Sequence, residues 1–254
     1  MKLRKTSLVA LEIITPLLLL ALWWVLSANS ESAYNPPLSE IMARFGENWF
    51  GERFFSDLLP SLGRMFGGFF LAVIIGTGIG SIVGLSKIAR RLTSPIVSFL
   101  RSIPGAALLP PAVLLLGIGN EMKISVIAFI CIWPIMLNTI DGIDETHATM
   151  TNTARDLQIR GYRRFFWIIL PAASPRIFAG MRTSLALSMI MLVISEMIAS
   201  TGGLGNFIIQ AQRLFQIDQM WSGIIVLGLL GYLFTLAFAG LEKVVLKWYL
   251  ESKA

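Results

Sequence analysis

Six apolar runs constrain this chain more than any other feature: residues 7–27, 59–85, 93–118, 123–140, 175–198 and 221–245. Each is about as long as a helix needs to be to cross the hydrocarbon core of a bilayer, roughly twenty residues. Hydrophobic residues make up 55% of the chain and charged residues only 14%, against about 25% charge in a soluble domain. The sequence therefore predicts an all-α membrane protein with six transmembrane helices. A basic soluble domain that binds nucleic acid is excluded despite the net charge of +6, because so little polar surface remains. The single cysteine, Cys131, rules out a disulfide framework within the chain and a cysteine-based zinc cluster. The single histidine, His147, removes most histidine-based catalysis.

The first run follows Lys2, Arg4 and Lys5 and is interrupted only by Glu12. It is long for the core of a signal peptide, and no small-residue cleavage pattern follows Trp23-Trp24, so it reads as a retained first helix. A polar connection follows, with Pro36-Pro37 as a breaker and residues 38–55 as an amphipathic interfacial helix. The second run carries Gly63 and Gly67, then Gly76, Gly80 and Gly84. Four-residue spacing places each set on one helix face, where a neighbouring helix can approach closely. The third run is interrupted at Pro104 and again at Pro110-Pro111, and places Arg101 about two turns inside the membrane. Ser174-Pro175 reads as the cap and first turn of the fifth run. Gly202, Gly203 and Gly205 break the chain, and residues 206–215 suit a short amphipathic helix. Trp221 and Trp248 suit interface anchors.

The basic residues set the orientation. With the N-terminus inside, fourteen Lys and Arg fall at cytoplasmic ends and loops and four in outer loops, Lys123 among the latter. Both termini are therefore expected in the cytoplasm. Residues 1–58 form the first helix and its external connection. Residues 59–254 form a five-helix core with a cytoplasmic insertion at about 141–174. In that insertion Ile143, His147, Met150, Ala154 and Leu157 recur at helical spacing, opposite Glu145, Asn152, Arg155 and Asp156. This predicts a short amphipathic helix along the membrane surface, then a turn at Gly161 and a basic-aromatic run to Pro171. On residues alone, docking of a partner and contact with lipid headgroups are equally open.

The insertion resembles the EAA loop of bacterial ABC-importer permeases, whose pattern is Glu-Ala-Ala, three residues, Gly, nine residues, Ile, one residue, Leu-Pro. Asn152-Thr153-Ala154 occupies the Glu-Ala-Ala place, Gln158 the place of the glycine, and Ile168, Leu170 and Pro171 match the end. The stretch from Pro171 to Met189, Arg101-Ser102-Ile103-Pro104, Gly117-Ile118-Gly119 and Val193-Ile194-Ser195-Glu196-Met197 are similar to the branch that imports taurine, alkanesulfonates and nitrate. The departures at Asn152 and Gln158 move the expected turn to Gly161.

The resemblance implies a type I ABC-importer permease in a bacterial inner membrane. Its loop would act as a coupling helix seated on a separate ATPase subunit, with Asn152, Thr153, Ala154, Arg155, Asp156, Gln158, Arg160, Gly161, Arg163, Arg164, Leu170 and Pro171 at the contact. The implied partners are two ATPase subunits, a second copy of the chain, an extracytoplasmic substrate-binding protein, a small-molecule substrate and membrane lipid. The sequence has no Gly-x-x-x-x-Gly-Lys-Ser/Thr stretch, so ATP and Mg are expected on the ATPase subunits and no cofactor on this chain. Charges inside a membrane are costly and mark function, which singles out Arg101 and Glu196 for the translocation pathway, with Pro104 at the break beside Arg101 and Asn138 as a further candidate. Their reading as a snorkelling arginine and a structural acid stands beside it. An ion-driven secondary transporter is the alternative, but few intramembrane carboxylates are present to drive it.

Overall fold

A computed structural model describes the backbone of residues 5–32, 34–156, 158–159 and 161–251, and the side chains of these except 5–13, 147–156 and 250. The described residues form helices α1 (Lys5–Ser27), α2 (Leu38–Trp49), α3 (Leu59–Gly84), α4 (Lys87–Arg101), α5 (Leu109–Leu116), α6 (Asn120–Asp156), α7 (Gly161–Arg164), α8 (Leu170–Ile198), α9 (Leu204–Arg213), α10 (Ile217–Val245) and α11 (Lys247–Glu251). Four helical stretches, Phe54–Gly84, Asn120–Thr146, Gly161–Ile198 and Ile217–Val245, are long and apolar enough to cross a membrane. A fifth crossing is formed if α4 and Gly105–Leu116 count as one span, bent by 85°. Ile14–Ser27 is a shorter apolar helix.

Helix α6 is the spine. Along α3, a Cβ on Gly68 would meet Ile127 at 2.6 Å, one on Gly80 the Met136 carbonyl at 2.8 Å, and one on Gly84 the Ile143 side chain at 3.1 Å. The two helices therefore run parallel, backbone against side-chain base, where dispersion contacts are dense. Gly63, by contrast, has open space beside it, so the first half of the expected glycine face packs through Gly67 and Gly68 instead. On the other side α8 runs antiparallel to α6. Gly180 lies against the Pro134 carbonyl, Gly142 against the Ala173 carbonyl, and Ser184 Oγ donates to the Cys131 carbonyl at 2.7 Å.

Several expected boundaries move, each for a local reason. The fourth run and the amphipathic insertion are one helix, because α6 continues unbroken for 37 residues to Asp156. Ser174-Pro175 does not start a helix; Pro175 lies inside α8. Proline cannot donate to the carbonyl four residues back, and Ser174 Oγ supplies that donor to the Pro171 carbonyl at 2.7 Å. The third run is two helices. Ser86 caps α4 by accepting from the Ala89 amide, and Pro104 disfavours helix at the residue before it. Pro110-Pro111 interrupts nothing, since it opens α5, where a missing amide is harmless. Residues 38–55 are not one helix: α2 ends at Trp49 and buries Leu38, Ile41, Asn48 and Trp49, and a separate turn starts at Phe54. Trp49 sits edge-on to Phe207 and donates to the Ser222 carbonyl. Trp221 packs on Trp23, with ring centroids 5.5 Å apart.

The chain also repeats itself. Arg53-Phe54-Phe55 and Arg164-Phe165-Phe166 each lead, three residues later, into Leu-Pro. Both form a π-turn (Phe54–Leu58 and Phe165–Ile169), whose following amide, Leu59 or Leu170, reaches back five residues to a Phe carbonyl. The widened turn accommodates the proline that comes next. Beyond it, Arg64-Met65-Phe66-Gly67-Gly68 and Arg176-Ile177-Phe178-Ala179-Gly180 bring Gly68 and Gly180 against α6 from opposite directions.

Candidate functional site

Charge gathers at the two ends of the three-helix core. At the end bearing Asp144, two adjacent acids on α6 reach to different helices. Asp144 pairs with Arg90 of α4 at 2.6 Å, and Glu145 pairs with Arg176 of α8. Arg90 also donates to the Gly84 carbonyl at the end of α3. Each pair is open to solvent, with only Arg90 less than half exposed, so each is worth a few tenths of a kcal/mol to about 1 kcal/mol on its own. Together they tie α6 to α3, α4 and α8 where it leaves the bundle.

The loop residues lie just beyond this clamp. Asn152, Thr153, Ala154, Arg155 and Asp156 occupy the last turns of α6; their side chains, and all of Arg160, lie outside the described residues. Gln158 adopts φ 54 and Gly161 φ 62. The left-handed turn thus begins at Gln158 itself, in the place of the family's glycine, and Gly161 opens α7. A side chain in this region costs roughly 1–2 kcal/mol relative to glycine. Arg163 is exposed, Leu170 packs against the Ile143–Ile169–Ala173–Ile177 cluster, and Pro171 is exposed.

At the other end Glu196, fully buried, is the hub. It accepts from Arg64 Nη1 at 2.5 Å, from Ser61 Oγ at 2.8 Å and from the Gly205 amide at 3.0 Å. Ser61 in turn accepts from the Leu204 amide, and Asp57 from the Gly203 amide. Arg64 Nε donates to Asn120 at 2.7 Å, linking the start of α6 to the same group. Three consecutive amides at the start of α9 are thus satisfied by α8, by α3 and by the turn before it, which is what an unsatisfied helix N-terminus requires. Gly203 adopts φ 107, and a Cβ there would lie 2.5 Å from the Glu196 carboxylate. Lys123, expected in an outer loop, is buried at the start of α6 within electrostatic reach of Arg64 and Glu196. Nearby, Arg44 bonds to Glu47 and to Asp218 of α10, and these bonds raise its pKa.

The four pathway candidates fall in separate places. Arg101 is exposed at the last residue of α4, and Pro104 is exposed at the head of the 3-10 turn Gly105–Leu108. Asn138 faces α8 beside Gly180 and donates to the Pro134 carbonyl. Glu196 lies in the hub. The partners of Glu196 were invisible to sequence reasoning, being 132 and 135 residues away. The one available signal was the glycine cluster after Glu196, which lets backbone amides approach a carboxylate.

Residues 68–249, which hold most of α3, all of α4 to α10, and the loop, match the family described as binding-protein-dependent transport system inner membrane component. The chain belongs to this family. The permease is 31% identical over 239 residues to the putative aliphatic sulfonates transport permease protein of Bacillus subtilis, covering 93% of this chain and 86% of that one. It is 28% identical over 250 residues to the taurine transport system permease protein of Escherichia coli (96% and 91% covered). It is 34% identical over 189 residues to the nitrate import permease protein of Synechocystis (74% and 69% covered). These relatives bear out the resemblance to the taurine, alkanesulfonate and nitrate branch. Among solved structures, the MetNI methionine ABC transporter in an inward-facing conformation matches with a TM-score of 0.67 at 20% identity, covering 74% of this permease and 94% of that chain. An amino acid ABC transporter matches with 0.57 at 16% identity, covering 82% and 94%. At these identities the two structures establish the fold alone, an all-helical one shared with these ABC-transporter chains.

Proposed function

We propose that this permease forms half of a homodimeric inner-membrane pore that imports a small anionic solute, delivered by an extracytoplasmic binding protein and driven by two separate ATPase subunits. ATP and Mg bind on those subunits. On this reading α1, α3, the α4–α5 pair, α6, α8 and α10 are the six crossings. Both termini and the 145–171 loop are cytoplasmic, and α2 and α9 face outward. Residues 1–58 add the first crossing and its external connection to the core at 59–254. The excess of Lys and Arg on one set of loops supports this orientation.

The observation that carries the coupling is the continuity of α6. One rigid helix runs from the membrane span into the docking segment, clamped at its exit to α4 and α8. A push on the loop is then delivered to three helices at once. The anionic solute is supported by the sulfonate, taurine and nitrate relatives and by the exposed Arg101. The loop's contact with the ATPase uses the residues from Asn152 to Pro171 named above.

The test is a charge reversal at Arg155 and Arg160 together. The variant should still insert and fold, while losing ATPase co-purification and ATP-dependent uptake of taurine or nitrate in proteoliposomes. Undiminished co-purification and uptake would remove the loop from the coupling path.

A further inference from the structure

Helix α4 presents three faces, and among the described residues only one is packed against the rest of the chain. Ala89, Arg90, Thr93, Val97 and Leu100 turn inward and are half-buried. Val97 packs against the cluster of Val83 with Met136 and Ile140 of α6, and Arg90 pairs with Asp144. A second arc, Ile88, Leu92, Ile96 and Phe99, is apolar and exposed. The third arc is polar. Lys87, Arg91, Ser94, Ser98 and Arg101 recur three and four residues apart, so they stack on one side of the helix, and all five are exposed. No acid occurs in α4.

Depth decides what the polar arc faces. Arg90 lies beside Asp144, Val97 against the Val83–Met136–Ile140 cluster, and Gly105 beside Ile130. Helix α4 therefore climbs along α6, and its C-terminal end reaches the middle of the Asn120–Thr146 span. A helix at that depth can present one exposed face to lipid, and the apolar arc suits that role. The opposite arc carries an arginine near mid-membrane, which hydrocarbon penalises strongly, so charged groups at such depth face a water-filled cavity.

We infer that this arc of α4 lines the inner half of the solute path as a ladder of cationic and hydroxyl groups that takes a small hydrated anion. A second copy of the chain closes the other side. Arg101, at the 85° bend between α4 and Gly105–Leu116, is the innermost rung. Lys87 and Arg91 form the rungs nearest the cytoplasm, and Ser94 and Ser98 donate hydrogen bonds between them. Arg90, on the inward face, is taken up by Asp144 and Gly84 and stands outside the ladder. The inference rests on the transport reading above and adds to it the lining and the chemistry of the path.

Single cysteines test it, placed in the full-length Cys131→Ala chain assembled with its ATPase in nanodiscs. Two water-soluble thiol reagents of opposite charge serve as probes: sulfonatoethyl methanethiosulfonate and trimethylammonioethyl methanethiosulfonate. Ser94→Cys and Ser98→Cys should react with both, while Leu92→Cys and Phe99→Cys, in the lipid arc, should not. After correction for intrinsic reactivity on a free thiol, the anionic reagent should be favoured at Ser98→Cys. Adding Arg101→Gln should slow the anionic reagent there and speed the cationic one, each by about fivefold, the effect of one unit charge about 4 Å away in water. Silent cysteines on the polar arc, equal labelling on the apolar arc, or a preference unmoved by Arg101→Gln would each overturn the ladder. Labelling needs neither ATP nor the natural solute. Loss of ATP-dependent uptake with the labelling pattern intact therefore counts against the proposed function alone, and a failed pattern with coupled uptake against the ladder alone.

Discussion

Replacing Glu196 by glutamine should weaken the permease far more than its near-identical shape suggests. The carboxylate takes hydrogen bonds from Arg64, Ser61 and the Gly205 amide, and is fully buried. A glutamine amide keeps one acceptor oxygen and brings an NH2 group into contact with one of these donors, whichever way it is turned. Arg64 also loses its counter-charge while its side chain stays only 14% exposed. Removing one partner of a buried pair typically costs 3–5 kcal/mol. Arg64 keeps its bond to Asn120, so the lower end applies, about 3 kcal/mol. Arg64→Met should cost a similar amount, and the double variant little more than either single one, because the pair is lost only once. The assay is SDS-titrated unfolding from mixed micelles followed by tryptophan fluorescence, with Trp49 against Phe207 reporting on α9. Costs below about 1 kcal/mol, or single losses that simply add in the double variant, would refute the hub.

Two further variants probe the core and the loop turn. Gly80→Ala drives a Cβ to 2.8 Å from the Met136 carbonyl and Thr139 Cβ. It should cost about 1–3 kcal/mol, whereas Gly63→Ala, with open space beside it, should be close to neutral in the same unfolding titration. Gln158→Gly relieves a left-handed residue at φ 54 and should stabilise the loop turn by about 1 kcal/mol. Slower amide hydrogen exchange around residues 158–164 would report it, and unchanged or faster exchange would contradict it.

Much of this architecture was legible in the sequence because apolar length and glycine spacing act locally. The Gly76–Gly80–Gly84 face, the short helix after the Gly202 cluster and the broken third run all follow from neighbours within a few turns. The loop's Ile168–Leu170–Pro171 ending carries the family resemblance by spacing alone. What escaped was decided by distant partners. The acids Asp141, Asp144 and Glu145 looked like the start of a loop; with Arg90 and Arg176 to receive two of them, α6 runs straight through. Ser174-Pro175 has the chemistry of a helix start, and the same hydroxyl instead repairs a proline gap inside α8. Nothing near Glu196 in sequence announces Ser61 or Arg64. The duplicated Arg-Phe-Phe…Leu-Pro stretches were in plain view, but they gain meaning only when both are seen to form π-turns leading into the helices that flank α6.

The capping of α9 bears on the order in which the protein is made. Its N-cap residue is a glycine with no side chain to offer, and its ten residues are too few to nucleate a helix alone in water. The groups that receive its first amides belong to segments synthesised long before it, Asp57 and Ser61 at the head of α3, and to Glu196 near the end of α8. A nascent chain therefore cannot complete α9 until those two helices have met beside α6. The helix is a late checkpoint in biogenesis, formed only on a correctly assembled bundle, and its exposure to protease would mark permeases that have inserted but not yet packed.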